Sequence, residues 1–446
     1  MVVLSSPVPL LRYLNPSRSL SLHPSAPAFA AAPFTLLPPF LRRRRTGRRL
    51  FSTMAALQKK VMVPIANGTE EMEAVIMIDV LRRAGADVAV ASVEKELQVV
   101  ASRGVKLVAD ALVRDLSDTP FDLIALPGGM PGAANFHGCQ ALETIVKKHA
   151  ADGRPYAAIC ASPAVVLDKW GLLNGLKATC HPSFMDKLSS AVPVDARVQQ
   201  DGKVVTSSGP GTAMEFALVL VEQLFGKEKR DEVAGPLLLY SNHNKEHLVR
   251  ELNAAGWSYS GSPQVLVPVA NGSEEMEAVI IIDVLRRAKA NVIVASVEDK
   301  LEVVASRNVK LVADMFLKEA AELPYDLIVL PGGLPGAQTF ASSEKLTNLI
   351  KEQAKSNKPY GAICASPALV FEPHGLLKGK KATAYPTLCN KLSDQSDIEN
   401  RVVIDGNLIT SRGPGTAMEF ALRIVEKFFG REKALELASP MVFTYV

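Results

Sequence analysis

Short apolar runs alternate with stretches of helical periodicity over most of the chain. Most of these runs are apolar at both odd and even positions, which is typical of strands buried on both faces. The stretches between them repeat apolar positions at helical spacing. This alternation predicts an α/β fold, with a mainly parallel sheet between two layers of helices. The candidate strands are Val61–Ala66, Asp87–Ser92, Phe121–Leu126, Tyr156–Ile159 and Ala178–Cys180, with Pro64 awkward for a buried strand.

The whole pattern occurs twice. The segment VMVPIANGTEEMEAVIMIDVLRRA begins at Val61 and VLVPVANGSEEMEAVIIIDVLRRA begins at Val265, an offset of 204 residues that continues to the end of the chain. Because this period is the size of a complete core-forming unit, we expect two tandem domains, over residues 61–240 and 265–446. Residues 241–264 match neither copy and are predicted to form a linker with one short helix at Lys245–Ala255.

Local signals predict further boundaries within each copy. Asp201 and the glycine after it lie between alternating residues, which predicts a hairpin over Arg197–Ser207. Thr212 and Glu215 have the spacing of a capping box, so a helix is expected to begin there and to end at Gly226.

The first 53 residues differ from the rest in charge, with eight arginines and no aspartate or glutamate. This composition is typical of an organelle transit peptide, which we expect to be disordered and removed. The expected destination is the chloroplast, with the mitochondrion as the alternative, and a form starting at Met54 is expected in the cytosol and nucleus. Five prolines between Leu20 and Leu41 interrupt the apolar part of this leader, so it predicts no membrane span.

The charge of the remainder argues against a nucleic-acid partner. The whole chain has a formal net charge of +4, and removing the eight leader arginines leaves −4. A mildly acidic body without clustered basic residues does not favour phosphate-backbone binding. The five cysteines lie far apart and form no C-x-x-C pair, so neither a disulfide framework nor a zinc ribbon is predicted from their spacing. No metal or other cofactor is expected for this chain.

Cys160 is the leading candidate for a chemically active residue. An apolar strand in RPYAAICASPAVVL runs directly into it, and Pro163 suits the first turn of a following helix. Such a turn lies at the carboxyl edge of the sheet, where open α/β folds bind ligands, and the helix amides favour a negative sulfur. The alternative is a small buried core cysteine. Cys364 has the same sequence context.

The helix in ANGTEEMEAVIMIDVLRRA supplies candidate acids, and Thr69 is expected to cap it. At about 100° per residue, Asp79 and the two arginines after it share one side, whereas Glu70 and Glu73 point away from them toward the core. Burial raises a carboxyl pKa, so one of these two glutamic acids is expected to stay protonated, donate a hydrogen bond to a thiolate and later move a proton. The helical wheel does not choose between them.

Two further motifs are compatible with chemistry. Gly128 and Gly129 follow a strand in ALPGGMPGA, where their amides would stabilise an oxyanion, although such a pair is as common in simple turns. His181, in ATCHPS, would orient or deprotonate a nucleophile, although a lone histidine is more often structural. Cys180 beside it is expected to point to the other face, into the core.

In this order, ANGTEEMEA, LPGGMPGA, AAICASPA, TCHP and TSSGPGTAMEFAL resemble the motifs of the DJ-1/ThiJ/PfpI superfamily, and of its DJ-1 branch in particular. The resemblance covers nearly all of both copies, and two fused copies behind a transit peptide are similar to plant DJ-1 homologues. It implies a flavodoxin-like, class I glutamine amidotransferase-like three-layer sandwich, present twice in tandem. It also implies pairing with the site near the interface, as an intramolecular pseudo-dimer or as a homodimer of chains.

The resemblance also implies residue roles. The reactive cysteine would be Cys160, its hydrogen-bonding acid Glu73 and its nearby histidine His181, with Gly128 and Gly129 binding substrate or oxyanion. The second copy supplies Glu277, Gly332, Gly333 and Cys364 in the same roles.

The two copies nevertheless differ at family positions. The second copy has Tyr385 in place of the histidine, and the first has Ser208 where Arg412 and the family have arginine. We therefore expect the two sites to differ in rate or reactivity.

The implied activity is that of a glyoxalase that requires neither glutathione nor metal. Cys160 would attack the aldehyde of methylglyoxal or glyoxal and lactate or glycolate would leave, and a protein deglycase activity would use the same intermediates. Ala161 and Ala365 stand where protease-like members have histidine, so peptidase activity is not expected. The alternative function is a redox-sensing, stress-protective chaperone that acts through oxidation of Cys160.

Overall fold

The computed structural model describes residues 58–239 and 249–445. The transit peptide predicted over residues 1–53 lies outside these ranges. The α/β class is confirmed, since each copy contains a largely parallel sheet with helices on both faces. Within the described ranges, no helix combines the length and the apolar character that crossing a membrane requires.

The main sheet of the first copy has seven strands and is antiparallel only at its hairpin edge. Two predicted strands, Asp87–Ser92 and Tyr156–Ile159, have the predicted bounds. Pro64 is tolerated because the backbone of residue 64 faces the strand Leu123–Leu126, and pairing with that strand ends at Met62. The missing N–H of the proline therefore removes no hydrogen bond of the sheet. In spatial order the strands are Val198–Asp201, Val204–Ser207, Tyr156–Ile159, Leu123–Leu126, Lys60–Ile65, Asp87–Ser92 and Ala111–Leu112.

The main sheet of the second copy has eight strands, because part of the predicted linker joins its edge. Val249–Leu252 pairs in parallel with Val402–Asp405, so the helix predicted over Lys245–Ala255 is wrong there, while residues 240–248 lie outside the described ranges. The Trp257 indole N–H donates a hydrogen bond to the Gly406 carbonyl and so attaches this segment to the second copy. In spatial order the strands are Val249–Leu252, Val402–Asp405, Leu408–Ser411, Tyr360–Ile363, Leu327–Leu330, Gln264–Val269, Asn291–Ser296 and Met315–Phe316.

Alternate residues of each central strand enter two separate cores. Val61 and Val63 pack with the helix Glu71–Arg83, whereas Met62 packs on the opposite face with Phe136. The helices of the first copy are Glu71–Arg83, Gly132–Gly138, Gln140–Ala151, Ala213–Phe225 and Lys227–Leu237, with short helical turns at Val113–Leu116, Pro163–Leu167, Pro182–Lys187 and Pro210–Thr212. Those of the second copy are Glu275–Arg287, Leu317–Ala320, Leu334–Ser342, Glu344–Lys355, Ala417–Phe429 and Arg431–Ala438, with short turns at Pro367–Phe371, Pro386–Lys391 and Pro414–Thr416.

Helix boundaries were predicted better than the caps that set them. Ala213–Phe225 begins and ends where expected, but the Thr212 hydroxyl pairs with Ser207 and Gly209 rather than capping the helix. The helix Glu71–Arg83 is capped by Glu70 and not by Thr69, since the Glu70 carboxylate accepts the Glu73 N–H at 2.7 Å. One predicted strand is also wrong. In place of Ala178–Cys180, the structure has a strand at Lys177–Ala178, which pairs with Val192–Pro193 outside the main sheet.

The two copies contact each other through equivalent elements. Strands Lys106–Val108 and Lys310–Val312 pair antiparallel and join a hairpin from each copy into one four-stranded ribbon. Beneath it, Arg83 bonds Glu274 and Arg287 bonds Glu70, each at 2.8 Å and each almost buried. Each arginine also pairs with the aspartate four residues before it, Asp79 or Asp283. The side of the helix that carries Asp79 and the arginines is therefore an interface between copies.

Candidate active site

Cys160 lies at a sharp turn between the strand Tyr156–Ile159 and the helical turn Pro163–Leu167. Its φ of 65° is in the left-handed region that non-glycine residues avoid, and Cys364 has a φ of 63° at the same point of the second copy. Such backbone strain persists only where the surrounding structure holds it, and it is concentrated at functional sites. Cys160 is 9% exposed and lines a cavity.

Glu73 brings a buried carboxyl group against this thiol. It belongs to the first turn of Glu71–Arg83 and is fully buried, and the Gly128 N–H donates to its Oε2 at 2.7 Å. Its Oε1 has no conventional hydrogen-bond partner within the described residues. Glu70, which the helical wheel left as an equal candidate, instead caps the helix and bonds Arg287 across the interface.

The acid and the thiol titrate as a pair. Burial raises the pKa of Glu73 to about 7, against the lowering effect of hydrogen bonds from Gly128 and Cys160. Burial, and then the negative charge of Glu73, raise the pKa of the Cys160 thiol, while the Gly129 N–H lowers it. Burial and the charge of Glu73 therefore oppose the thiolate form that the adjoining helix is expected to favour. Two adjacent buried anions are unfavourable, so the pair holds on to one proton.

The glycine pair is only partly available as an oxyanion site. The Gly128 N–H is occupied by Glu73, and Gly332 makes the same bond to Glu277 at 2.7 Å, which corrects the oxyanion role predicted for these two residues. Gly129 and Gly333 direct their N–H groups to the cysteine sulfurs and remain suitable. Ala161, which the sequence did not single out for this role, lines the cavity, and its N–H has no backbone partner among the described residues.

His181 lines the cavity, but both of its ring nitrogens are engaged. Nδ1 accepts the Ser183 N–H at 3.2 Å, so Nε2 carries the proton and donates to the Pro440 carbonyl at 2.9 Å. In this arrangement neither nitrogen has a free lone pair with which to deprotonate Cys160. His181 therefore acts here as a positioning residue that joins the first site to the carboxyl-terminal part of the second copy. Cys180 is buried, as expected.

Both copies build the cavity over Cys160, which has a volume of about 250 Å³. Arg287 and Pro440 come from the second copy, and sequence reasoning missed both because they lie far from Cys160 along the chain. Ser208, which was expected to distinguish the two sites, is not among the lining residues and donates to the Ala196 carbonyl instead. The residues from the first copy are Glu70, Ser102, Arg103, Gly129, Met130, Cys160, Ala161, His181, Phe184 and Pro210.

The second site repeats the central pair but not its surroundings. Burial raises the pKa of Glu277 to about 7, next to Cys364, as in the first site. Tyr385 takes the place of the histidine, and its hydroxyl donates to the Pro236 carbonyl at 3.3 Å. A phenol with a pKa raised by burial replaces an imidazole here, so the two sites differ at this position.

Comparison with known proteins identifies the family of both copies. A family model described as the DJ-1/PfpI family matches residues 59–223 and again 263–427. Protein DJ-1 homolog B of Arabidopsis thaliana is 64% identical over 398 residues, covering 88% of this chain and 91% of its own length. Protein DJ-1 homolog A of the same plant is 60% identical over 386 residues, covering 86% of this chain and 98% of its own length.

Single-domain relatives match one copy at a time. The Caenorhabditis elegans protein named glutathione-independent glyoxalase DJR-1.2 is 35% identical over 182 residues, covering 40% of this chain and 95% of its own length. The solved structure of oxidized Toxoplasma gondii DJ-1 is 50% identical with a TM-score of 0.39, covering 40% of this chain and 96% of that one. The two family matches include Glu73, Cys160, Glu277 and Cys364. This chain therefore belongs to the DJ-1/PfpI family and carries two of its flavodoxin-like domains in tandem.

Proposed function

We propose that the chain is a glutathione-independent glyoxalase of the DJ-1 type, which converts methylglyoxal to lactate and glyoxal to glycolate. The observation that carries this proposal is the contact between Cys160 and a buried glutamic acid whose pKa is about 7. An acid that titrates near neutrality beside a nucleophile is suited both to give and to take a proton at the reacting carbons. The name of the C. elegans relative supports the same activity.

The reactive form of the pair has its one proton on Glu73 and an anionic sulfur at Cys160. The sulfur attacks the aldehyde carbon, the N–H groups of Gly129 and Ala161 donate to the developing oxyanion, and Glu73 protonates it to give a hemithioacetal. The Glu73 carboxylate then takes the proton from that carbon and returns it to the neighbouring carbonyl carbon, while the hydroxyl proton passes to the neighbouring oxygen. The first carbon becomes the carbonyl of a thioester and the second becomes an alcohol. Water hydrolyses the thioester, lactate and one proton are released, and the pair again holds one proton.

Single-site variants of the full chain test the proposal. With methylglyoxal and no glutathione, we expect Cys364→Ser to keep most lactate formation, because it leaves Cys160, Glu73 and the cavity over them intact. Cys160→Ser should lose most of it, and the double variant all of it. Full activity in the double variant would refute the proposal.

The same samples distinguish the glyoxalase from the alternative function, a redox sensor. Intact-mass measurement after mild peroxide treatment reports oxidation of Cys160, and lactate release reports turnover. Oxidation without turnover in the unmodified chain would favour the sensor over the enzyme.

A further inference from the structure

A second cavity adjoins the one that holds Cys160. Its volume is about 430 Å³, and none of its lining residues is acidic. All of them except Lys289 and Leu437 also line the Cys160 cavity, so the two cavities lie side by side. The lining residues are Ser102, Arg103, Arg287, Lys289, Leu437 and Pro440.

Two cations on this second cavity lack an anionic partner. The Arg103 guanidinium donates to the Ser102 carbonyl at 3.1 Å, and neither it nor the exposed Lys289 ammonium makes an ion pair with any described residue. Arg287, in contrast, is paired with Glu70 and Asp283. A substrate that reaches Cys160 through this space therefore passes two unneutralised positive charges.

Lys289 occupies a backbone position that disfavours it. Its φ is 68°, and the equivalent residue of the first copy, 204 positions earlier, is Gly85 with a φ of 90°. A side chain in this left-handed region is strained, which is why glycine is preferred there. A Cβ at Gly85 would have nothing within 4 Å, so steric crowding does not explain why the first copy has glycine where the second has lysine. Lysine at 289 brings a charge to the cavity beside Cys160, whereas its equivalent, Gly85, carries none.

We propose that the first site selects short α-oxoaldehydes that end in a carboxylate, with Arg103 and Lys289 holding the carboxylate while the aldehyde reaches Cys160. This inference rests on the proposed glyoxalase function and names its substrate class. A guanidinium binds a planar carboxylate through two parallel hydrogen bonds, and a nearby ammonium adds attraction. For 4,5-dioxopentanoate, the reaction adds one water, oxidises the aldehyde carbon to a carboxylate and reduces the neighbouring carbonyl to an alcohol. The products are 2-hydroxyglutarate and one proton, and no external oxidant is needed.

The test compares two substrates of equal carbon number, anionic 4,5-dioxopentanoate and neutral 2-oxopentanal. It uses the full chain with Cys364→Ser, so that only the first site turns over. We expect kcat/KM to favour the anionic substrate, and the ratio of the two values to fall about fivefold in Lys289→Gly, which corresponds to about 1 kcal/mol. Lys289→Arg should keep the ratio, and added salt should lower it. A ratio that is unchanged in Lys289→Gly would overturn the inference.

A binding arm separates this inference from the proposed function. If the unmodified chain turns over neither substrate, the glyoxalase proposal fails, and the cationic cavity is judged by calorimetric titration of Cys160→Ser with the same two compounds. We expect tighter binding of 4,5-dioxopentanoate than of 2-oxopentanal, with the difference reduced about fivefold by Lys289→Gly. Equal affinities for both compounds would overturn the inference independently of turnover.

Discussion

Replacing Gly128 by alanine perturbs the contact on which the proposed chemistry depends. A Cβ at this position would lie 2.6 Å from the Cys160 Cβ, 2.9 Å from the Glu73 Oε2 and 2.9 Å from the Ile159 carbonyl oxygen. Non-bonded carbon atoms normally approach to about 3.5–4.0 Å. The first contact therefore requires a displacement of about 1 Å, and the atoms that must move are a backbone-attached Cβ and a fully buried carboxyl group.

A misplacement of this size at a reacting centre lowers the rate about 100-fold. Overpacking of a buried site also lowers the free energy of unfolding by about 1–3 kcal/mol. We therefore expect Gly128→Ala, in the Cys364→Ser background, to form lactate about 100-fold more slowly than its parent while remaining folded at 25 °C. Lactate release and a thermal unfolding curve measure the two effects separately.

Gly138→Ala is the matched control. Gly138 ends the helix Gly132–Gly138 on the same segment, and a Cβ there would meet nothing within 4 Å. We expect this variant to keep both the rate and the stability of its parent. A folded Gly128→Ala that forms lactate at the parental rate would refute the reasoning, because it would show that the spacing between acid and thiol is not what the site depends on.

Three further predictions concern stability, assembly and targeting. Burial raises the pKa of Glu71 from 4.5 to about 7, so the folded state holds its proton between these pH values while the unfolded state releases it, and stability falls as pH rises through this window. Glu71→Gln should therefore reduce the loss of unfolding free energy between pH 5 and pH 8 by about 2.5 kcal/mol, measured by urea titration, and an unchanged pH dependence would contradict the assignment. We propose that the two copies pair within one chain, so light scattering of residues 54–446 should give a monomer, whereas a stable dimer would show pairing between chains. Residues 1–53 fused to a fluorescent protein should direct it to the chloroplast, and a wholly cytosolic signal would refute that expectation.

The sequence predicted most of what is set by local chain pattern. The bounds of the strands Asp87–Ser92 and Tyr156–Ile159 and the turn at Cys160 could be predicted from local sequence. In each case an apolar run ends at residues that favour a turn or the start of a helix. The repeat predicted two similar domains because an offset of 204 residues holds throughout. The linker helix failed because Val249–Leu252 completes a sheet edge of the second copy, and such pairing depends on a strand more than 150 positions away.

The residues of the site could be predicted from the sequence, but the hydrogen bonds between them could not. The resemblance in motif order assigned Glu73, Cys160 and the glycines to one site, whereas the residues alone left Glu70 and Glu73 open. Only the structure shows that the Gly128 N–H is bonded to Glu73 and is therefore not available to an oxyanion. Likewise, Arg287 reads from sequence as part of a polar helix side. Its position over the Cys160 cavity arises from contact between the two copies, which the local sequence pattern of either copy does not reveal.

The central claim is that Glu73 supplies the mobile proton of the reaction and does not merely hold Cys160 in place. Glu73→Gln separates these roles, because the amide keeps the shape of the side chain and a hydrogen-bond donor but cannot accept a proton at neutral pH. The decisive measurement follows iodoacetamide alkylation of Cys160 and lactate release in the same Glu73→Gln, Cys364→Ser chain. We expect alkylation to persist and lactate formation to disappear. Lactate formation at the parental rate, or loss of alkylation together with turnover, would contradict the account.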